Sequence, residues 1–181
     1  MRYLFVCFVL FAFMQCSTPP QKTVNPLGFI PAKPLAILHT EDMESLVGFS
    51  NSQPQLNRFL HPLLSTQEHW LSFKECIVSY HEEGVKEYKY LLIRPLSPLD
   101  SVPQIIGDTL RYENLRIIKF EKQSIDRYAA VNQNTYFESD SKIVLENSIR
   151  LHTAPNRPDE NLQKLYNSKS CLLYTSPSPR D

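Results

Sequence analysis

The sequence predicts an α+β domain: a mostly antiparallel sheet of about five or six strands with helices packed on one face. Three observations lead there. Two pairs of β-rich runs are each joined by a short polar connection, residues 73–94 and 128–138. Between residues 142 and 152 the apolar positions recur with helical period. Composition agrees with an ordinary folded chain, 42% hydrophobic and 21% charged.

Taken in order, Leu35–Leu38 is a short apolar run after Pro34, long enough for a buried strand but not for a helix. Thr40, Glu41 and Asp42 then place a cap and acidic side chains where helix N–H groups are unpaired, opening a helix over Met43–Phe49. Leu56, Phe59, Leu60, Leu63 and Leu64 suggest a second helix, shortened or kinked at Pro62. Phe73–His81 and Glu87–Arg94 form a hairpin across a polar connection containing Gly84. On the second strand Tyr88, Tyr90 and Leu92 share one face and Lys89, Leu91 and Ile93 the other, so its inner end is buried on both sides.

Pro95, Pro98 and Pro103 mark a connection with room for one short helix near Val102–Ile106. Leu115–Phe120 is a strand, and Tyr128–Asn132 with Thr135–Glu138 a second hairpin across Gln133 and Asn134. In the helix Lys142–His152, Val144, Leu145, Ser148, Ile149, Leu151 and His152 lie on one face, with Asp140 or Ser141 available as cap. Pro155 and Pro158 end it, and Leu162, Leu165 and Tyr166 line a final amphipathic turn after Asp159.

The front of the chain is an export signal. Arg2 supplies a positive start and Tyr3–Met14 is an uninterrupted apolar run of 12 residues, below the roughly 20 a spanning helix needs. The run stops at Gln15 and Cys16. Phe13-Met14-Gln15-Cys16 resembles the lipobox of bacterial lipoproteins, with Phe13 and Gln15 where the usual box has Leu and a small residue. That resemblance implies lipidation at Cys16 and a membrane partner held through the N-terminal lipid. Residues 17–34 hold five prolines and read as a tether, which in polyproline form would reach roughly 55 Å. No acidic run follows the cysteine, which favours attachment at the outer membrane facing the periplasm.

At the other end, residues 171–181 resemble a translated sequencing adapter, a transposase mosaic end with its primer arm. On that reading the native frame is interrupted near Ser170 and residues 35–170 are a truncated domain. Cys7 leaves with the signal, Cys16 carries lipid and Cys171 lies in the adapter-like tail, so Cys76 alone remains and no disulfide framework is expected.

Phe29-Ile30-Pro31, the stretch Phe137-Glu138-Ser139-Asp140-Ser141-Lys142 and Leu145-Glu146-Asn147-Ser148-Ile149-Arg150 together resemble an uncharacterised group of Bacteroidetes-type envelope lipoproteins over residues 27–167. The resemblance implies a fold and a cell-envelope address but no chemistry.

Charge and motif exclude several classes. Nineteen basic against nineteen acidic residues imply no nucleic-acid partner, and four glycines leave no phosphate-cradling loop. The histidines His39, His61, His69, His81 and His152 match no local zinc spacing, so no metal or other cofactor is expected. Two surfaces are singled out. His39, Glu41 and Asp42 form a candidate polar site at a strand-to-helix junction, although helix capping explains the same acids. Tyr80, Tyr88 and Tyr90 offer an aromatic platform for sugar or peptide, against cross-strand packing as the other reading. Cys76, in a strand beside Ile77 and Val78, reads as a buried small hydrophobe. The leading functional reading is a lipid-anchored, non-catalytic scaffold or binding domain for an envelope protein, glycan or peptide; the alternatives are an envelope enzyme with its catalytic groups beyond the break, or a dedicated glycan- or peptide-binding module.

Overall fold

The computed structural model describes residues 25–54, 56–57, 60–61, 75–85, 87–96, 106–122, 124–153, 160–167 and 172–175. Within them a 3-10 turn, Pro26–Phe29, precedes strand β1 (Ala36–Thr40) and helix α1 (Met43–Asn51). Strands β2 (Cys76–Glu82) and β3 (Tyr88–Pro95) follow, then β4 (Asp108–Tyr112), β5 (Leu115–Lys122), β6 (Ile125–Asn132) and β7 (Thr135–Ser139). Helices α2 (Lys142–Thr153) and α3 (Glu160–Asn167) lead to a last short strand, β8 (Leu172–Thr175).

Every pairing is antiparallel, in the order β4-β5-β6-β7-β3-β2-β1-β8. Two meanders are therefore joined side by side, β1-β2-β3 and β4-β5-β6-β7. The seam between them is β7 on β3, with Leu91 opposite Ser139, Ile93 opposite Phe137 and Pro95 opposite Thr135. The mixed α+β class stands, but the expected five or six strands become seven over residues 36–139, with β8 as an eighth. The unpredicted strand among the seven is β4. Its sequence Asp-Thr-Leu-Arg-Tyr carries two apolar residues and pairs only with β5, so it is extended because β5 presents an edge rather than by local preference.

The helices are not confined to one face. Alternate residues Leu38, Val78, Leu92 and Tyr136 pack with Met43 and Leu46 of α1 and with Leu60. The intervening positions Ile37, Ile77, Leu91, Ile93 and Phe137 pack with Val144, Leu145 and Ile149 of α2 and Leu162 of α3. The sheet is thus covered on both sides, which is why β1, β2 and β3 read as near-continuous apolar runs. Leu56 and Leu60 are helical as expected, whereas Phe59, Leu63, Leu64 and the helix proposed near Val102 lie outside the described residues.

The Pro-rich stretch assigned to a tether is folded from Asn25 onward. Asn25 Oδ1 accepts from Leu27 N at 3.0 Å, and Leu27, Phe29 and Ile30 are buried against the α2 face. Phe29 meets Phe137 edge-on at 5.0 Å between ring centroids. Three apolar side chains in so short a segment create no period, so their burial was invisible to pattern reading.

Local signals account for the helix starts. Asp42 Oδ1 accepts from Glu44 N at 3.0 Å and from Ser45 N at 3.3 Å, capping α1. Ser141 Oγ accepts from Val144 N at 3.2 Å, so Ser141 caps α2, while Asp140 is drawn away to β3 by Tyr90 N at 2.9 Å. Gly84, at φ 75°, supplies the left-handed turn between β2 and β3. Gly107 answers a different need: a Cβ there would fall 2.0 Å from the Lys119 carbonyl oxygen of β5. Gly107→Ala is expected to lower unfolding free energy by about 2 kcal/mol through this overpacking and to speed amide exchange in β4 before the other strands. Urea titration and residue-resolved hydrogen exchange measure both.

Candidate functional site

Strand alternation places Tyr90 and Arg94 of β3, Arg127 of β6, and Tyr136 and Glu138 of β7 on one face of the sheet, the face that α1 also covers. Arg127 and Glu138 are each 1% exposed, and Arg127 Nη1 lies 3.3 Å from Glu138 Oε1. Tyr90 OH donates to Glu138 Oε1 at 2.9 Å, and Tyr136 OH donates to Oε2 at 2.7 Å. Arg127 Nη1 also donates to Tyr90 OH, and its guanidinium carbon sits 5.4 Å from the Tyr90 ring centroid. Burial first, then the Glu138 charge, push both phenols well above their ordinary pKa, so they stay protonated and remain donors.

The chemistry of this cluster is closed. A carboxylate held by two phenols and a guanidinium has both oxygens engaged, and general acid or base work would first require breaking buried hydrogen bonds. Ser139 Oγ donates to Tyr90 O at 2.6 Å and accepts from Ser141 N at 3.0 Å, continuing the polar chain into the α2 cap. Sequence reading did not single out Arg127 or Glu138. The available signal was parity: each is a charge at an inward position of a strand whose alternate neighbours, Ala129 and Tyr136, are buried.

The predicted polar site separates into two parts. His39 is 3% exposed on β1, Glu41 is exposed, and the Asp42 carboxylate is consumed by the α1 N-terminus, where the Ser45 hydroxyl holds its pKa below the ordinary carboxylate value. His39 meets other partners. Its Nε2 lies 3.5 Å from Glu75 Oε1, and its ring tilts against Tyr166 of α3 at 4.7 Å. Tyr166 OH donates to Glu75 Oε1 at 2.7 Å. Burial, then Glu75 and more weakly Glu41, raise the Tyr166 pKa. The cluster is an imidazole, a carboxylate and a phenol contributed by β1, the entry to β2, and α3. Only the fold brings Glu75 and Tyr166 to His39, so no local spacing could have named them.

The predicted tyrosine platform is corrected more directly. Tyr80 and Tyr90 stand opposite one another across β2 and β3, 4% and 1% exposed, inside the α1-side core. Tyr88 alone of the three faces solvent, 60% exposed and opposite Glu82. Burial, assisted by Asp140, raises the Tyr80 phenol. The packing alternative explains the pair, since the same face is covered by Met43 and Leu46. Cys76 is fully buried. Among the described residues, no three His, Cys, Asp or Glu side chains converge as metal ligands.

Compared with protein-family models, curated proteins and solved structures, the chain matches none.

Two predictions follow from this geometry. Glu138→Gln leaves Arg127 buried beside a neutral amide and is expected to lower unfolding free energy by about 3 kcal/mol in urea titration at neutral pH. The second concerns His81, buried on β2, where a 2.9 Å hydrogen bond joins its Nε2 to Ser79 Oγ. Burial lowers its pKa from 6.5 to about 4. Between these values the unfolded chain binds the additional proton, so the stabilising difference is complete above about pH 6.5 and declines as pH falls toward 4. The decline is expected to reach up to about 3 kcal/mol, and His81→Gln should remove that part of the slope in stability measured from pH 7 to pH 4.

Proposed function

We propose that this protein is a lipid-anchored, non-catalytic domain of the bacterial cell envelope that binds or scaffolds a partner, attached through Cys16 and facing the periplasm from the outer membrane. One observation carries the reading: a 12-residue apolar run, Tyr3–Met14, is separated from Cys16 by Gln15 alone, and prolines follow at positions 19 and 20. The resemblance to envelope lipoproteins points the same way. Each acyl methylene adds about 0.8 kcal/mol of membrane affinity, and one chain binds only reversibly, so a lasting anchor needs the several chains a lipoprotein cysteine carries.

The described domain supports a binding role over catalysis. Its charged interior groups, Arg127 and Glu138, engage each other and two phenols, and His39 lies at an inter-element contact with Glu75 and Tyr166. Between Cys16 and Asn25, the first described residue, lie eight residues, enough chain to span at most about 30 Å. The domain would then work close to the bilayer.

Cys16→Ser tests the anchor. The unsubstituted protein is expected to sediment with membranes and partition into detergent, and the variant to appear in the soluble fraction with the same thermal unfolding midpoint. Membrane retention of the variant would refute the proposal.

A further inference from the structure

Among the described residues six large apolar side chains are exposed, Phe49, Val85, Tyr88, Ile106, Ile125 and Ile143. Apolar residues scattered singly over a surface are ordinary, so their placement decides what they mean. Strand register fixes that placement. One row crosses seven strands, Ile37 to Ser79 to Leu91 to Ser139 to Tyr128 to Lys119 to Asp108, each opposite the next. Beyond this row, all on one side, lie Val85 and Tyr88 of the β2–β3 hairpin, Ile106 leading into β4, Ile125 opening β6 and Ile143 in the first turn of α2. Tyr88 and Ile125 each stand three residues past the row on strands separated only by β7, so their backbones are roughly 10 Å apart. At the other end of the sheet the connections Glu41–Asp42, Glu113–Asn114 and Gln133–Asn134 are polar throughout. Five of the six exposed apolar side chains therefore share one end.

We propose that this end of the sheet rests on the bilayer, with Val85, Tyr88, Ile106, Ile125 and Ile143 entering the boundary between headgroups and acyl chains. The inference rests on the reading of Cys16 as a lipid anchor and adds the orientation of the domain. Eight residues between Cys16 and Asn25 span at most about 30 Å, no more than a domain of this size is wide. The anchored domain thus stays within its own width of the membrane, and the contact forms intramolecularly. The chain also enters the sheet at this end: Leu35 N donates to Tyr80 O at 2.8 Å, and Ala32 and Lys33 just before it are exposed. Charges nearby largely neutralise one another, Lys89 with Glu87 at 3.6 Å, Lys119 with Asp126 at 2.7 Å and Lys142 with Glu146 at 3.4 Å. Apolar burial, rather than attraction to charged headgroups, is then what holds the contact. Glu82 and Glu83 precede Val85 and keep the insertion shallow, because a carboxylate does not follow into hydrocarbon. A protein partner would call for a continuous apolar face, whereas these side chains stand at the ends of four separate elements, which a fluid bilayer accommodates individually.

The mature chain, held on phosphatidylcholine vesicles by a hexahistidine in place of residues 1–16 and a nickel-chelating lipid, is the test. This attachment works whether or not Cys16 is acylated. Tryptophan is the probe, at Val85→Trp and Ile125→Trp for the proposed end and at Gln133→Trp for the opposite one, with Trp70 as a common background. With acyl chains brominated near the headgroup, emission from the first two is expected to be quenched at least twofold more than that from Gln133→Trp. In the chain without added tryptophan, amide exchange at Val85 and Tyr88 should slow at least threefold on vesicles. Val85→Asp with Ile125→Asp should abolish that slowing and, both residues being exposed, leave the thermal midpoint unchanged. Equal quenching at both ends, no quenching at Val85→Trp and Ile125→Trp, or slowing that survives the double substitution would overturn the proposal. A dimer in vesicle-free solution that the double substitution dissolves would assign this end to a second copy and overturn it as well. Failure of the anchor is read from Cys16→Ser and failure of the contact from quenching, so the two are separate.

Discussion

The buried pair Arg127–Glu138, with the hydroxyls of Tyr90 and Tyr136 closed around it, is the interaction on which the arrangement of the sheet depends. Arg127 of β6 and Glu138 of β7 pair across one hairpin, and the Tyr90 hydroxyl of β3 ties them across the seam where β3 meets β7, the one pairing in the sheet that joins the two meanders. Hairpin pairings bring their own register through their turns, whereas this seam has none and must be specified by side chains. A slip of one residue would carry Tyr90 to the opposite face and leave the Glu138 carboxylate without that donor. An ion pair of this kind contributes modestly to net stability compared with apolar residues of equal volume, but breaking it from one side is expensive. Because the Tyr90 hydroxyl must reach this pair from β3, the cluster penalises other registers of the β3–β7 seam.

The seam also explains how the helices are distributed. Once β7 is fixed against β3, the chain leaves β7 through Ser139, Asp140 and Ser141, whose side chains bond to β3 and to the first turn of α2. That exit commits α2 to the face opposite the buried pair, over Leu91, Ile93 and Phe137. Helix α1 covers the other side. With both faces taken, the sheet ends in the charged strand β4 at one flank and, at the other, in β8 laid along the apolar strand β1. Tyr166 of α3 bonds to Glu75 and packs on His39, which brings the end of α3 to the β1 flank.

Six of the strands and three helical segments were legible because each announced itself locally. β1, β2, β3, β5, β6 and β7 are β-branched or apolar runs bounded by turn residues, and α2 has an unmistakable period. What escaped was whatever lacked a local signature. β4 is extended by pairing, and Leu27, Phe29 and Ile30 are core residues inside a segment whose prolines advertise a linker. The polar residues named from sequence were the ones standing together in the chain, His39, Glu41 and Asp42, and Asp42 behaves as the cap that its position before Met43 suggests.

The sequence by itself determined the α+β class, the positions of most elements and the caps that start them, since period-two alternation, period-3.6 alternation and capping are all decided within a few residues. Tertiary structure alone decided which charges face one another, that helices cover both sides of the sheet, and that Glu75 and Tyr166 rather than Glu41 and Asp42 accompany His39. The reason is distance along the chain. A buried charge is tolerated only where partners arrive from other elements, and pairings between strands far apart in sequence leave no trace in the neighbourhood of either one.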